Sequence, residues 1–322
     1  MKVCVTGGAG YIGALASGEL LESGHDVVVL DSLLHGQDPV AASLRERGAR
    51  VVVGDVRDPG ARRAALRGAD ALVHLAAIVG DPACSCEPEL SRVVNVEATR
   101  ALVDDAARLG VERLVFASTC SNYGRLPDPR IAVDEGAPLR PVSLYAAQKV
   151  AIERDLLDGG RAAPAPTCLR FATVYGVGDR MRFDLTVNEF TRDLWHGRPL
   201  AVYGERFWRP YVHVRDAAGA VRVVLEAPLR RVDGRVFNVG RSDENYRKLD
   251  LVGLITARLG PGDVRFVHRD EDPRDYKVSF DRLRDELGYV PPRRVEDGVA
   301  EVVAALEERR FGDPFARRWV NA

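Results

Sequence analysis

The stretch KVCVTGGAGYIG, residues 2–13, decides the fold. A short β-branched run enters Gly7, Gly10 and Gly13 directly, and an apolar helix pattern, Ile12–Ser23, follows at once. Glycines in that context permit a tight turn and a close backbone approach to a pyrophosphate. The helix N-terminus adds unpaired N–H groups and partial positive charge. Tyr11 and Ile12, between the last two glycines, are placed with them at this phosphate cradle. The next apolar run, DVVVLD, ends in Asp31, 18 residues beyond Gly13. A carboxylate there can accept hydrogen bonds from both hydroxyls of an adenosine ribose and would repel a 2′-phosphate, which favours NAD over NADP.

Outward from this unit, KVCVTG, DVVVLD, ARVVVGD, ALVHLAA and RLVFAST read as strands buried on both faces, with Pro166–Phe171 and Arg235–Val239 as further strands. Amphipathic stretches such as Ile12–Ser23 and Val94–Leu109 alternate with them. The expected fold is therefore α/β, a doubly wound parallel sheet of the Rossmann kind with a smaller C-terminal α/β lobe. Weaker periodicity after Gly176 predicts a discontinuous division. Residues 1–175 plus about 212–240 would form the dinucleotide domain, and about 176–211 plus 241–322 the substrate lobe.

The 322 residues carry 46 basic against 47 acidic side chains, a net charge of −1, which argues against a dedicated nucleic-acid binder. No run approaches the roughly 20 apolar residues of a membrane span. MKVCVTGG enters a strand pattern and is not read as a signal peptide. Five scattered cysteines, with a lone Cys84-x-Cys86, fit reduced thiols in the cytoplasm and no metal site.

Tyr145 and Lys149 lie four residues apart, one turn on one helix face. An ammonium near a phenol favours the phenolate, and a tyrosine lowered toward neutral pH can exchange a proton with an alcohol as hydride leaves the same carbon. Thr119 and Ser118, after the fifth strand, place hydroxyls at the sheet's C-terminal edge, the usual ligand crevice. Asp55 and Val56 follow the third strand near the expected adenine edge. Leu75, Ala76 and Ala77 follow His74, itself read as a core histidine, and leave room for the cofactor.

These residues together resemble the extended short-chain dehydrogenase/reductase family, in particular its nucleotide-sugar epimerases and dehydratases. The resemblance rests on GGAGYIG (7–13), Asp31, HLAA (74–77), Asn95, STCSNYG (118–124), YAAQK (145–149), LRFATVYG (169–176) and GRPLAVYGERFWRPYVHVRDAA (197–218), and it covers almost the whole chain. It implies NAD bound by Gly7, Gly10, Gly13 and Asp31, with Asn95, Ser118 and Phe171 beside it. It implies Tyr145 and Lys149 at the nicotinamide ribose and substrate, and Thr119 at the family's Ser/Thr position. It also implies a nucleotide-diphosphate sugar as substrate, met by Arg209 at its diphosphate and by Asp81, Ser121, Thr173, Asn188 and Arg274. A homodimer through a four-helix bundle is implied as well, built from Val94–Leu109 and Ser143–Leu157.

Departures from the family pattern narrow the chemistry. Dehydratases of the family carry Asp-Glu after the catalytic Thr, and the related decarboxylases carry a Glu at the position of Ser121. Here Cys120-Ser121 stands there, and serine is too weak a base for a sugar C5 proton. Cys120 could act as acid or base near the sugar if its thiolate is stabilised. Thr173 replaces an Asn that contacts the diphosphate in many members, and an Arg-Pro-Gly near the C-terminus appears as Asp272-Pro273-Arg274. The expected activity is an NAD-dependent epimerase working through a 4-keto sugar. The alternatives are a reductase or dehydrogenase on such a sugar, and a non-catalytic NAD sensor.

Overall fold

The computed structural model describes residues 1–128, 130–158, 164–268 and 274–321. Seven strands build the central sheet: β1 (Lys2–Thr6), β2 (Asp26–Asp31), β3 (Arg50–Val53), β4 (Ala71–His74), β5 (Arg113–Thr119), β6 (Ala165–Phe171) and, later in the chain, β9 (Arg235–Val239). Their order is β9-β6-β5-β4-β1-β2-β3, all parallel. Each of the seven runs expected to be strands is one. The chain starts in the middle, builds outward to β3, then returns to β4 on the other side of β1. That reversal opens a crevice at the C-terminal ends of β1 and β4, where open α/β sheets take ligands.

β3 corrects the expectation of burial on both faces. It is the outermost strand, with β2 as its one neighbour, and its four residues are half-buried or exposed. The interior strands match the expectation: β1 and β4 are buried almost throughout.

A second sheet comprises β7 (Thr173–Tyr175), β8 (Trp208–His213) and β10 (Asn245–Arg247), in the order β10-β8-β7. Its own core gathers Tyr175, Val187, Phe190, Leu200, Tyr211, Leu251, Ile255 and Val299. Thr173 follows β6 after a single residue, so one continuous stretch links the two sheets and carries substrate-side residues to the edge of the cofactor side.

Three helices position the site. α1 (Tyr11–Glu22) follows the glycine loop, α2 (Thr99–Arg108) follows β4, and α3 (Leu144–Leu157) follows the β5 turn. Ser143 caps α3 by accepting from the Ala146 N–H at 3.3 Å, which starts the helix one residue before Tyr145. α2 is preceded by a π-helical turn, Val93–Ala98. Such turns leave a residue more per turn than an α-helix. His74 closes this region from inside: its ring lies between the hydroxyls of Thr6 at 2.6 Å and Thr99 at 2.8 Å. Burial, then the charge of Lys149, lowers its pKa to about 3, so it remains a neutral core histidine.

Candidate active site

Three glycines shape the crevice floor for a steric reason. Gly7 has φ +69°, and a Cβ on it would lie 2.7 Å from the Ala76 nitrogen. A Cβ on Gly13 would fall 2.0 Å from the Gly7 carbonyl oxygen, and one on Gly10 would meet the same oxygen at 3.1 Å. No side chain fits at Gly13, so the helix starts hard against the turn. Asp31 crosses to this loop: one carboxylate oxygen accepts from the Ala9 N–H at 3.0 Å and the other from Leu33 N–H at 2.9 Å. A carboxylate has about four acceptor positions, so two remain for ribose hydroxyls. Burial raises the Asp31 pKa, and the two N–H groups oppose that rise. Leu75, Ala76 and Ala77 are half-buried beside the loop, with Leu75 N–H bonded to the Thr6 carbonyl at 3.0 Å.

The residues present therefore fit a dinucleotide, through a cradle that a Cβ would fill and a carboxylate with acceptor capacity to spare. Asp55 is more occupied than expected, because Arg57 chelates its carboxylate at 2.7 and 2.9 Å and holds its pKa below the usual carboxylate range. Val56 is buried, and its carbonyl accepts from Arg62 at 3.0 Å.

At the other end of the crevice, α3 presents Tyr145 and Lys149. The Lys149 Nζ donates to the Ala117 carbonyl at 2.7 Å and lies 5.8 Å from the Tyr145 ring centroid. Burial lowers the Lys149 pKa to about 8. The Tyr145 hydroxyl bonds to no described residue. Burial raises its pKa above the ordinary phenol value, with Arg182 opposing. Among the chain's own groups, burial therefore outweighs the nearby positive charge. Thr119 accepts from the Ser121 N–H at 3.1 Å, which fixes its oxygen and leaves its proton to donate elsewhere.

Several side chains are spent on the scaffold instead of the ligands. Cys120 is 1% exposed, donates to the Arg170 carbonyl at 3.2 Å, and has its pKa pushed well above the thiol range by burial, so the acid–base role is withdrawn. Ser118 donates to buried Glu153 and accepts from Asn122 at 3.1 Å. Glu153 is in turn ion-paired with buried Arg170 at 2.7 Å, a network that holds the 118–124 turn from behind. Asn95 bonds both backbone groups of Ile78 and donates to Gln148 at 2.8 Å, so it positions the loop after β4. The Phe171 ring belongs to the main core. The Tyr11 hydroxyl donates to the Gly176 carbonyl at 2.5 Å, which leaves only backbone at that position for a phosphate. Ile12 is half-buried and packs on the core. Asn188 is fully buried, bonding Gly176 N–H at 2.9 Å, Tyr11 at 3.1 Å and the Arg182 carbonyl at 2.9 Å, so it supports the loop and has no group left for substrate.

The remaining substrate-side residues form one chain of contacts. Asp81 pairs with Arg274 at 2.8 Å, and the Arg274 carbonyl accepts from Arg209. The Arg209 guanidinium lies 5.5 Å from the Tyr276 ring centroid, and Tyr276 donates to Ser121 at 3.5 Å. Asp81 and Arg274 were expected to meet a sugar nucleotide separately, whereas here they meet each other. Tyr276 was missed, since no local motif marks it. Thr173 is half-buried in β7, paired with Tyr211. Asp272 and Pro273 lie outside the described residues.

Comparison with known proteins places the chain in a family. Residues 3–240 match the model of the NAD dependent epimerase/dehydratase family. The chain belongs to that family. It is an NAD-dependent enzyme of the extended short-chain dehydrogenase/reductase type. The chain is 30% identical to a UDP-glucose 4-epimerase of Corynebacterium glutamicum, over 96% of this chain and 98% of that one. It is 33% identical to a dTDP-glucose 4,6-dehydratase of Streptomyces griseus, over 95% and 94%. The crystal structure of a Thermus thermophilus UDP-glucose 4-epimerase in complex with NAD superposes with a TM-score of 0.83 at 29% identity, covering 95% of this chain and 99% of that one. Family membership thus includes both epimerases and dehydratases. No helix among the described residues is long and apolar enough to cross a membrane.

Proposed function

We propose that the chain is a nucleotide-sugar 4-epimerase. The observation that carries this reading is the pair after Thr119: a sealed thiol at Cys120 and a hydroxyl at Ser121, neither able to take a C5 proton. Dehydration needs that proton removed, whereas inversion at C4 does not.

The chemistry NAD supplies when bound is reversible acceptance of a hydride. The chain's own groups handle the proton. The Tyr145 oxygen, with no partner among the described residues, takes it from the sugar C4 hydroxyl and later returns it. Lys149, anchored on the Ala117 carbonyl, supplies the positive charge that favours the phenolate against the burial that opposes it. The Thr119 O–H donates to the reacting oxygen and holds it in line. Arg209, Arg274, Asp81, Ser121 and Thr173 are assigned to the nucleotide-sugar side, and the chain is proposed to divide into a cofactor domain (1–175 plus about 212–240) and a substrate lobe (about 176–211 plus 241–322). We place the enzyme in the cytoplasm as a homodimer paired through α2 and α3, where Leu109 and Leu144 are exposed. Light scattering that finds only a 35.3 kDa species would remove the dimer.

The test is incubation of purified protein with UDP- and dTDP-hexoses without added cofactor, followed by NMR of the sugar. Inversion at C4 without net oxidation is expected. A requirement for stoichiometric NAD(P)H would make the protein a reductase, and a 6-deoxy-4-keto product would make it a dehydratase.

A further inference from the structure

Arg180 and Arg182 lie on the stretch 176–184, which no sequence motif marks. Met181 and Phe183 enter a separate core cluster with Val302, Ala305, Leu306 and Phe311, and the two arginines flank Met181 in the chain. Both are at least nine-tenths buried. Arg182 lies close enough to Tyr145 and Tyr11 to influence both phenols, and Arg180 close enough to Asp31 and His35. Arg182 thus neighbours the two phenols, and Arg180 the carboxylate that ends β2.

The stretch is fastened to the glycine loop. Tyr11, first residue of α1, donates to the Gly176 carbonyl, and a Cβ on Gly178 would lie 2.9 Å from the Tyr11 ring. Phe183 N–H bonds the Trp319 carbonyl at 2.8 Å, which ties the far end to the C-terminal tail.

The two arginines differ in partners. Arg182 is chelated by Asp184, with Nε at 3.0 Å. Arg180 has no carboxylate within ion-pair distance among the described residues. Its one hydrogen bond there runs from Nη2 to the Val320 carbonyl at 3.4 Å, and its Nε is buried without a partner. Asp31, the nearby carboxylate, spends an oxygen each on Ala9 and Leu33. A buried guanidinium without a counter-ion is costly, and burial, with the charge of Arg182, lowers the pKa of Arg180 to about 10. Arg180 lies two residues beyond Gly178, which packs against Tyr11 at the start of α1.

We infer that Arg180 takes the pyrophosphate of the bound dinucleotide from the side opposite the glycine loop, so that the cofactor is gripped between backbone N–H groups and a guanidinium fork. The inference rests on NAD as the cofactor and not on which sugar is turned over. A two-sided grip suits an enzyme whose cofactor is regenerated in place.

The experiment uses the full chain freed of nucleotide. Wild type, Arg180→Met and Arg180→Lys are titrated calorimetrically with NAD, ADP-ribose, adenosine and NADP, and each is melted without ligand. Loss of a charge-assisted contact should raise the Kd of Arg180→Met for NAD and ADP-ribose about 10- to 100-fold, with adenosine binding unchanged. Arg180→Lys should recover only part of this, because an ammonium lacks the planar fork. The melting temperature of ligand-free Arg180→Met should equal or exceed that of wild type. Unchanged affinity for NAD and ADP-ribose overturns the inference, and so does a weakening confined to NADP, which would place Arg180 at a 2′-phosphate. A lower melting temperature with intact affinity would make Arg180 a structural residue. Sugar turnover does not enter these readouts, so failure here and failure of the epimerase reading are separable.

Discussion

The wall of the crevice formed by Gly7, Gly10 and Gly13 is made within seven consecutive residues, whereas the wall proposed for the substrate, with Asp81, Ser121, Arg209, Arg274 and Tyr276, joins segments up to 193 residues apart. The first wall is a backbone shape, enforced by carbonyl oxygens that leave no space for a methyl group. The second is a relay of side chains, part of it half-exposed, whose partners can exchange. A backbone cradle tolerates almost no substitution and binds what every family member binds. A side-chain relay can be retuned residue by residue, which is where relatives sharing the cofactor can diverge in substrate.

That contrast can be tested at several depths. The steepest effect belongs to the proposed catalytic phenol: Tyr145→Phe should lower kcat by about 10²- to 10⁴-fold while nucleotide-sugar affinity holds, read by steady-state kinetics and calorimetry. Full cellular function in that variant would instead favour an NAD sensor. Next, Gly13→Ala should weaken NAD retention about 10- to 100-fold, since the new methyl must displace the Gly7 carbonyl, and the nucleotide released on denaturation measures it. A variant that still purifies with a full complement of NAD would show the cradle to be softer than its geometry implies.

A smaller effect tests the buried cation. Folded Lys149 releases its proton near pH 8, but the unfolded chain keeps it to the ordinary lysine value of 10.5. Between those values the unfolded state binds more protons, so ligand-free stability should rise with pH, by at most about 1.4 kcal/mol per pH unit. Below pH 8 the penalty of burying the charge is present in full. Comparing chemical denaturation of wild type and Lys149→Met from pH 7 to 9.5 isolates this contribution, and identical slopes would refute it. The smallest effect is expected on the relay. Asp81→Asn removes one half-exposed ion pair of Arg274 and should lower KM for the sugar nucleotide about two- to fivefold, as befits a pair worth under about 1 kcal/mol. A raised KM would mean that Asp81 itself touches the sugar.

The same contrast explains what could be read from the sequence. The seven central strands were legible because each is a short β-branched run bounded by turn residues, and five of them pack between two neighbouring strands. β3 misled because composition does not reveal which strand ends at the edge. The glycine loop and Asp31 were legible because their partners lie within 22 residues, inside one strand–helix–strand unit. Ser118, Asn95 and Asn188 misled for the opposite reason. A polar side chain near a crevice serves scaffold or ligand equally well in sequence, and only the partners Glu153, Ile78 and Gly176 show which. Tyr276 and Arg180 stayed invisible because their significance lies in contacts that long chain separations create.

The wide turn at Val93–Ala98 has a consequence for length changes. It lets Asn95 reach Ile78 and Gln148 while Thr99, four residues on, reaches His74. Successive residues of a regular helix are rotated by about 100°. Deleting a single residue from the turn would let the winding become regular, but it would swing one of those two anchors away from the end of β4. The segment should therefore accept many replacements of one side chain by another and almost no change in its number of residues.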